Sequence, residues 1–257
     1  MSSTVHSLAS LRGTERGRRA FVVGNSPSVR NEPIGLLKGE LSISMNAGIL
    51  LAEEFGFTSK YYALSDRRFL LNPFKRPMAT SRLPSGTIRF LRSDVRDVDE
   101  QDERLSTHYV RPLARDGFST DLRQGFFYGS TTALFAMQIA VWLGVSEIVM
   151  LGVDLHYPED QPRFYREKER EEEDILLSVQ IKNLADAART CEGLGIPVIC
   201  CSETSLLRPY VDYVPFIDAI NKKEELVVPR TSIRSPVTSL PSSLVRKNGQ
   251  PNLEKSA

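Results

Sequence analysis

Short apolar runs, each stopped by small polar residues, recur along the chain from residue 20 onward. Ala20-Phe21-Val22-Val23 reads as a buried strand broken at once by Gly24-Asn25-Ser26-Pro27-Ser28. Ile34 to Leu37 is a brief helix or turn closed by Gly39. Leu41-Ser42-Ile43-Ser44-Met45 alternates as a second strand ending at Asn46. Ile49 to Phe55 predicts a helix, and Tyr61-Tyr62-Ala63-Leu64 a third strand ending at Ser65-Asp66. Further on, Gly129-Ser130-Thr131-Thr132 supplies natural caps for a helix from Ala133 to Leu143. That helix is apolar nearly all round, the mark of a buried one, and stops at Gly144. Glu147-Ile148-Val149-Met150-Leu151 predicts a central strand running out into Gly152-Val153-Asp154-Leu155-His156-Tyr157. Leu176 to Gly193 predicts an amphipathic helix, and Pro197 to Cys201 a last strand leading into Ser202-Glu203-Thr204-Ser205.

Between these regular stretches the pattern is looser. Residues 1–17 are polar and small and read as a flexible arm, loose or ordered on contact. From Asn72 to Gln124 prolines interrupt the chain, one strand is visible at Thr87 to Leu91, and a charged run spans Arg92 to Arg104. A structureless stretch of that length is improbable in a compact domain, so 72–124 reads as an irregular insertion or lid with structure of its own. Tyr165 to Asp174 is a second charge run, read as a solvated helix or another lid. Residues 221–257, rich in Ser, Pro, Lys and Arg, read as a disordered tail.

Strands alternating with helices over 18–220 predict an α/β domain with a doubly wound, mostly parallel, Rossmann-like sheet carrying a lid insertion. In such a sheet ligands sit outside the carboxyl ends of the strands. Asn25, Ser26, Asn46, Ser65, Asp66, Asp154, His156 and Ser202 are therefore expected on one rim.

Composition narrows the partners. Charged residues make up 25% of the chain and the formal net charge is +1, so no global field points to nucleic acid or an anionic membrane. No stretch approaches the roughly 20 apolar residues of a spanning helix, and Arg12, Arg16, Arg18 and Arg19 replace the apolar core of a secretion signal. Three cysteines, Cys191, Cys200 and Cys201, fit buried free thiols in a reducing compartment, and their spacing is wrong for zinc. A cytoplasmic location is the expectation.

The candidate chemistry lies at the strand ends. The turn after the first strand has a single glycine and is neither a Rossmann fingerprint nor a Walker loop. It offers Gly24 for close backbone approach, the Asn25 amide and the Ser26 hydroxyl, although the same residues serve ordinary turn geometry. Ser130, Thr131 and Thr132 at a helix N-terminus favour an anion, and simple capping would use the same groups. His156 is the side chain most easily poised as a base, with Asp154 to orient it or hold a sugar hydroxyl. His108 in the lid and His6 in the arm are rivals. Asp97-Val98-Asp99 matches a short metal-binding DxD pattern, but in a charged run such a triplet arises easily by chance, and no metal is expected.

The ordered set of the Gly24–Ser28 turn, Met45-Asn46, Gly129-Ser130-Thr131-Thr132 before an apolar helix, and Leu143-Gly144 followed by Glu147 to Asp154 resembles two related groups. These are the bacterial lipooligosaccharide sialyltransferases, which use CMP-sialic acid without a metal, and the 6-hydroxymethylpterin diphosphokinase-like family, which includes flagellin-glycosylating motility accessory factors. The resemblance spans about residues 18–213, with the lid unmatched. It implies a GT-A-variant-like sheet, with Asn25 and Ser26 at the phosphate and ribose and Asn46 at the nucleotide. Ser65 stands where the sialyltransferases carry an asparagine, and Thr131 and Thr132 match hydroxyls lining the donor site. His156 takes the place of a tyrosine that helps the phosphate leave, and Tyr165 would add a second phenol. One departure is serious: the catalytic histidine of the sialyltransferases is replaced by Ser178, leaving His156, Glu172 or Asp174 as candidate base.

The resulting expectation is metal-independent transfer of a sialic-acid-like sugar from a CMP-activated donor to a glycan or glycoprotein hydroxyl in surface-glycan assembly. The donor is the only nucleotide required and no cofactor is expected; a homo-oligomer fits this reading. Two alternatives stand beside it: a magnesium-dependent pyrophosphokinase of a pterin alcohol using ATP, with Asp66, Asp154 or the Asp97/Asp99 pair on the metal, and a non-catalytic nucleotide-binding protein.

Overall fold

A computed structural model describes residues 7–156, 163–165 and 176–222. Its sheet has eight strands: β1 (Arg19–Val23), β2 (Ser42–Met45), β3 (Tyr61–Leu64), β4 (Ile88–Arg92), β5 (Ser106–Val110), β6 (Glu147–Leu151), β7 (Val198–Cys200) and β8 (Asp212–Tyr213). They lie in the order β5-β4-β3-β2-β1-β6-β7-β8, and every neighbouring pair is parallel. The six α-helices among the described residues are α1 (Gly48–Phe55), α2 (Arg67–Leu71), α3 (Arg76–Ala79), α4 (Thr132–Leu143), α5 (Leu177–Gly193) and α6 (Phe216–Asn221).

The chain steps outward from β1 to β5, then crosses back through α4 to place β6 on the other side of β1. The direction of winding thus reverses between β1 and β6, the switch point of a doubly wound sheet. Two apolar layers sandwich the sheet. Val22, Ile43, Ala63, Phe90 and Met150 pack with α4 and α5 on one face. Phe21, Val23, Tyr62, Leu91 and Val149 pack with α1 and α6 on the other.

Alternation along each strand explains this division, because successive side chains point to opposite faces. Helix α4 is buried on every side except at Val141, as its unbroken apolar sequence requires. Thr131 caps its start through Ala133 N–H, and Gly144, at φ 83°, ends it.

Residues 72–124 do not stand apart from the sheet. They contain α3, β4 and β5, and the latter two form one side of the same sheet. Arg89 of β4, fully buried, explains part of the charged run: its guanidinium forks onto Asp99 with both bonds at 3.0 Å. The following loop is bonded to itself, with Leu113 N donating to Phe126 O at 2.8 Å and Gly129 N to Arg115 O at 2.9 Å.

Of the arm read at 1–17, residues 7–17 are packed rather than flexible. Leu8–Leu11 forms a 3-10 turn, Gly13 N donates to Trp142 O, and Glu15 N donates to Leu143 O. The buried Glu15 carboxylate accepts from Lys60 Nζ at 2.5 Å and Tyr61 OH at 2.7 Å. His6, the charge run after Tyr165 with Glu172 and Asp174, and the tail beyond Lys222 lie outside the described residues. Among the described residues no helix is long and apolar enough to cross a membrane.

Candidate functional site

The strand ends expected to share a rim are tied together by hydrogen bonds. At β1 and β6 the backbones run side by side beyond the strands, with Gly24 N on Leu151 O at 2.7 Å and Ser26 N on Gly152 O at 3.0 Å. Ser26 Oγ then accepts from Asp154 N at 3.1 Å. Between β1 and β2, Asn25 Nδ2 donates to Met45 O at 3.2 Å. Between β2 and β3, Tyr62 OH donates to Asn46 O at 2.9 Å. Between β3 and α4, the hydroxyls of Ser65 and Thr132 lie 2.8 Å apart. Asn25, Asn46, Thr132 and Asp154 therefore belong to one continuous polar edge at the carboxyl side of the sheet.

Two features distinguish the backbone and side chains of this edge. The side-chain oxygens of Asn25 and Asn46 are buried without a hydrogen-bond partner among the described residues. Buried amide oxygens are ordinarily paired, so these two stand out among the polar groups of this edge. In addition, the non-glycine residues with left-handed backbone among those described are Asn46 (φ 49°), Ser130 (φ 57°) and Leu155 (φ 55°). All three follow the carboxyl ends of strands or open α4, and strain of this kind concentrates at ligand sites.

The loop before α4 presents donors. Gly129 and Ser130 are both left-handed, and Thr131 returns to extended backbone as the cap. Thr131 Oγ1 is engaged by Ala133 N–H at 3.3 Å, so its oxygen caps while its O–H stays available. Exposed N–H groups and the positive end of the helix dipole make the tip of such a loop favourable for an anion.

Asp154 is 3% exposed and ringed by hydroxyls: Ser28 Oγ donates at 2.7 Å and Thr204 Oγ1 at 3.5 Å, while Ser202 Oγ donates to Ser28 Oγ at 3.2 Å. Ser28 lies in the turn after β1, whose hydroxyls are candidate donors, and Thr204 in the polar tail of β7, where nothing in the sequence points to Asp154. Among the described residues no hydrogen bond joins Asp154 to His156. His156 itself is exposed at the end of the β6 turn. Asp66 caps α2 through Arg68 N–H at 2.9 Å and pairs with the Arg68 guanidinium, so it faces its own helix.

The short described segment 163–165 lies over the Asn25 turn. Phe164 N donates to Asn25 O at 3.0 Å, and Arg30 Nε reaches Phe164 O at 3.1 Å. Tyr165 stands edge-on to Phe164 with ring centroids 5.1 Å apart. Burial pushes the Tyr62 phenol well above its ordinary value; Arg89 opposes this, and Tyr165 adds to it. Tyr62 is thus a neutral donor locked on Asn46. Nothing in an apolar strand run distinguishes such a tyrosine from simple core.

The remaining candidates fall elsewhere. Ser178 is exposed in the first turn of α5. His108 is buried in β5, its ring 5.5 Å from Phe90, and is part of the sheet rather than of a lid. The Asp97-Val98-Asp99 triplet is divided between two arginines, Arg67 on Asp97 and Arg89 on Asp99. Among the described residues no three His, Cys, Asp or Glu side chains are grouped to hold a metal. Cys191, Cys200 and Cys201 are buried and free, and burial pushes the Cys191 and Cys201 thiols up to about 12.

No family model and no curated protein matches the chain. Among solved structures, MAf glycosyltransferase from Magnetospirillum magneticum AMB-1 matches at TM-score 0.53 and 16% identity, over 78% of this chain and 34% of that one. The sialyltransferase CstII from Campylobacter jejuni, in complex with cytidine-5'-monophosphate, matches at TM-score 0.49 and 14% identity, over 78% of this chain and 86% of that one. The chain spans about a third of the length of the MAf glycosyltransferase. At this identity the likeness is one of fold, and this chain is built on the α/β architecture that MAf glycosyltransferase also uses.

Proposed function

We propose that the chain is a glycosyltransferase that takes its sugar from a nucleotide-activated donor, with a CMP-activated, sialic-acid-like donor as the first candidate and a glycan or glycoprotein hydroxyl as acceptor. The observation that carries this reading is the pair of unpartnered amide oxygens, Asn25 Oδ1 and Asn46 Oδ1, set at the carboxyl ends of the neighbouring strands β1 and β2. Acceptors of that kind suit the exocyclic amine of a base or a ribose hydroxyl. The N-terminus of α4 with Ser130 and Thr131 would meet the phosphate and stabilise charge as it leaves. His156, exposed beside this edge, is the candidate base for the acceptor hydroxyl, and Tyr165 a candidate phenol for the departing phosphate. Such a scheme needs no metal.

The test is incubation of the pure protein with a panel of nucleotide sugars, each with and without magnesium, followed by detection of released nucleotide. Release from a CMP donor that persists in chelator, and that falls at least tenfold in Asn25→Ala, is expected. No release from any donor in either condition overturns transferase activity.

A second reading, nucleotide binding without turnover, is favoured by Ser178, which stands in the first turn of α5 where the resemblance calls for a histidine. Tight CMP binding with no turnover, unchanged by His156→Ala, would establish it.

A further inference from the structure

Helix α4 carries one anomaly. Between Ala133 and Leu143 its side chains are hydrocarbon apart from the Met137 thioether, the Trp142 indole and Gln138. Gln138 is fully buried, with none of its surface exposed. An unpaired amide is costly in such a place, so a buried glutamine calls for partners. The amide is instead saturated. Its Oε1 accepts from Ser119 N at 2.9 Å and Phe127 N at 3.0 Å, and its Nε2 donates to Phe127 O at 2.8 Å and Leu134 O at 3.0 Å.

Three of those four bonds hold the backbone of the loop that runs into Gly129-Ser130-Thr131. Phe127 is two residues before Gly129, and its N–H and C=O are both fixed by the same side chain. From α5, the buried Asn183 grips the same loop: Nδ2 donates to Asp116 Oδ1 at 2.9 Å, and Oδ1 accepts from Gly117 N at 3.4 Å. The loop then turns through two consecutive left-handed residues, Gly129 and Ser130. A serine is disfavoured there by its β-carbon, so contacts outside the tip must hold it.

We propose that Gln138, assisted by Asn183, is the positioning residue for phosphate recognition: it holds the 117–129 loop so that Ser130 and Thr131 face the phosphate of a bound nucleotide. This rests on the nucleotide-binding reading of the rim. Gln138 does not touch the ligand. It acts through Phe127 and the strained tip, so its effect falls on the phosphate and leaves recognition of the nucleoside at Asn25 and Asn46 intact.

The experiment compares CMP with cytidine by calorimetry on the full chain, in the wild type, Gln138→Met and Asn183→Ala, with folding checked by thermal denaturation. In the wild type the phosphate strengthens binding at least tenfold over cytidine. In Gln138→Met that gain falls to less than threefold while the cytidine Kd stays within twofold, and Asn183→Ala gives a smaller loss in the same direction. CMP and cytidine weakened by one common factor, or a phosphate gain unchanged in both variants, overturns the positioning role. Should Gln138→Met not fold, Asn183→Ala decides alone by the same ratio. A wild type that binds neither ligand sinks the nucleotide reading itself, a result distinct from any variant effect.

Discussion

A β-carbon placed on Gly24 would lie 2.2 Å from the carbonyl oxygen of Gly152, so the turns after β1 and β6 can come this close only because Gly24 has no side chain. The neighbour is backbone, so it cannot swing aside. Gly24→Ala must push the two turns apart, a distortion that typically costs about 1–3 kcal/mol. Urea denaturation is expected to show that loss. CMP binding should weaken as well, because Asn25 and Ser26 move with the turn.

Asn46 separates strain from recognition. A glycine accepts φ 49° freely, so Asn46→Gly is expected to leave stability within about 0.5 kcal/mol while removing the unpartnered amide oxygen. Nucleotide affinity should fall about tenfold, or about 1.4 kcal/mol, by calorimetry. Unchanged affinity would remove Asn46 from the site.

The two aspartates of the DxD-like triplet are predicted to behave oppositely. Asp99→Ala strands the Arg89 charge inside the protein and should cost about 3–5 kcal/mol. Asp97, exposed on Arg67, should leave stability nearly unchanged when replaced by alanine. Neither change should alter the response of activity to magnesium. A variant of Asp97 that folds normally but loses a metal-dependent activity would restore the metal reading.

Most strands were legible because their apolar runs end in glycine, asparagine or serine, and β1, β2, β3 and β6 lie where those breaks put them. Strand β5 was not legible. Ser106-Thr107-His108-Tyr109-Val110 is a half-exposed edge strand, so only alternate positions need be apolar, and charged residues flank it. Arg89 inside β4 disguised its neighbour in the same way, since only the fold reveals Asp99 beside it. The rim was readable from the order of strands and their polar ends. The occupied state of Asp154 was not, because Ser28 and Thr204 reach it from distant positions.

Acid should loosen the loop that leads to α4. Asp116 is held down to about 2 by Arg115 first and then by Asn183. A carboxyl depressed on folding adds stability above its ordinary value of 3.8, and that contribution is lost as the pH falls toward 2. Stability measured by denaturant between pH 5 and pH 2 should therefore fall less steeply in Asp116→Asn than in the wild type.

The single tryptophan reports the arm. Trp142 Nε1 donates to Leu8 O at 3.1 Å, and the Arg12 guanidinium lies 5.4 Å from the ring centroid. Removing residues 1–12 should expose the indole, shift its emission to the red and lower Tm, by about 2–4 °C for each kcal/mol lost. An unchanged spectrum would show that the arm is not docked in solution.

The left-handed backbone at Asn46, Ser130 and Leu155 is carried by residues with a β-carbon, so each holds a conformation that its own side chain disfavours. Glycine at Ser130 would relieve that tension, whereas at Leu155 it would empty a buried position and cost more than it relieved. Selection for heat tolerance alone should therefore keep Leu155 and admit glycine at Ser130, and on the nucleotide-binding proposal that gain would come with a blunted grip on phosphate.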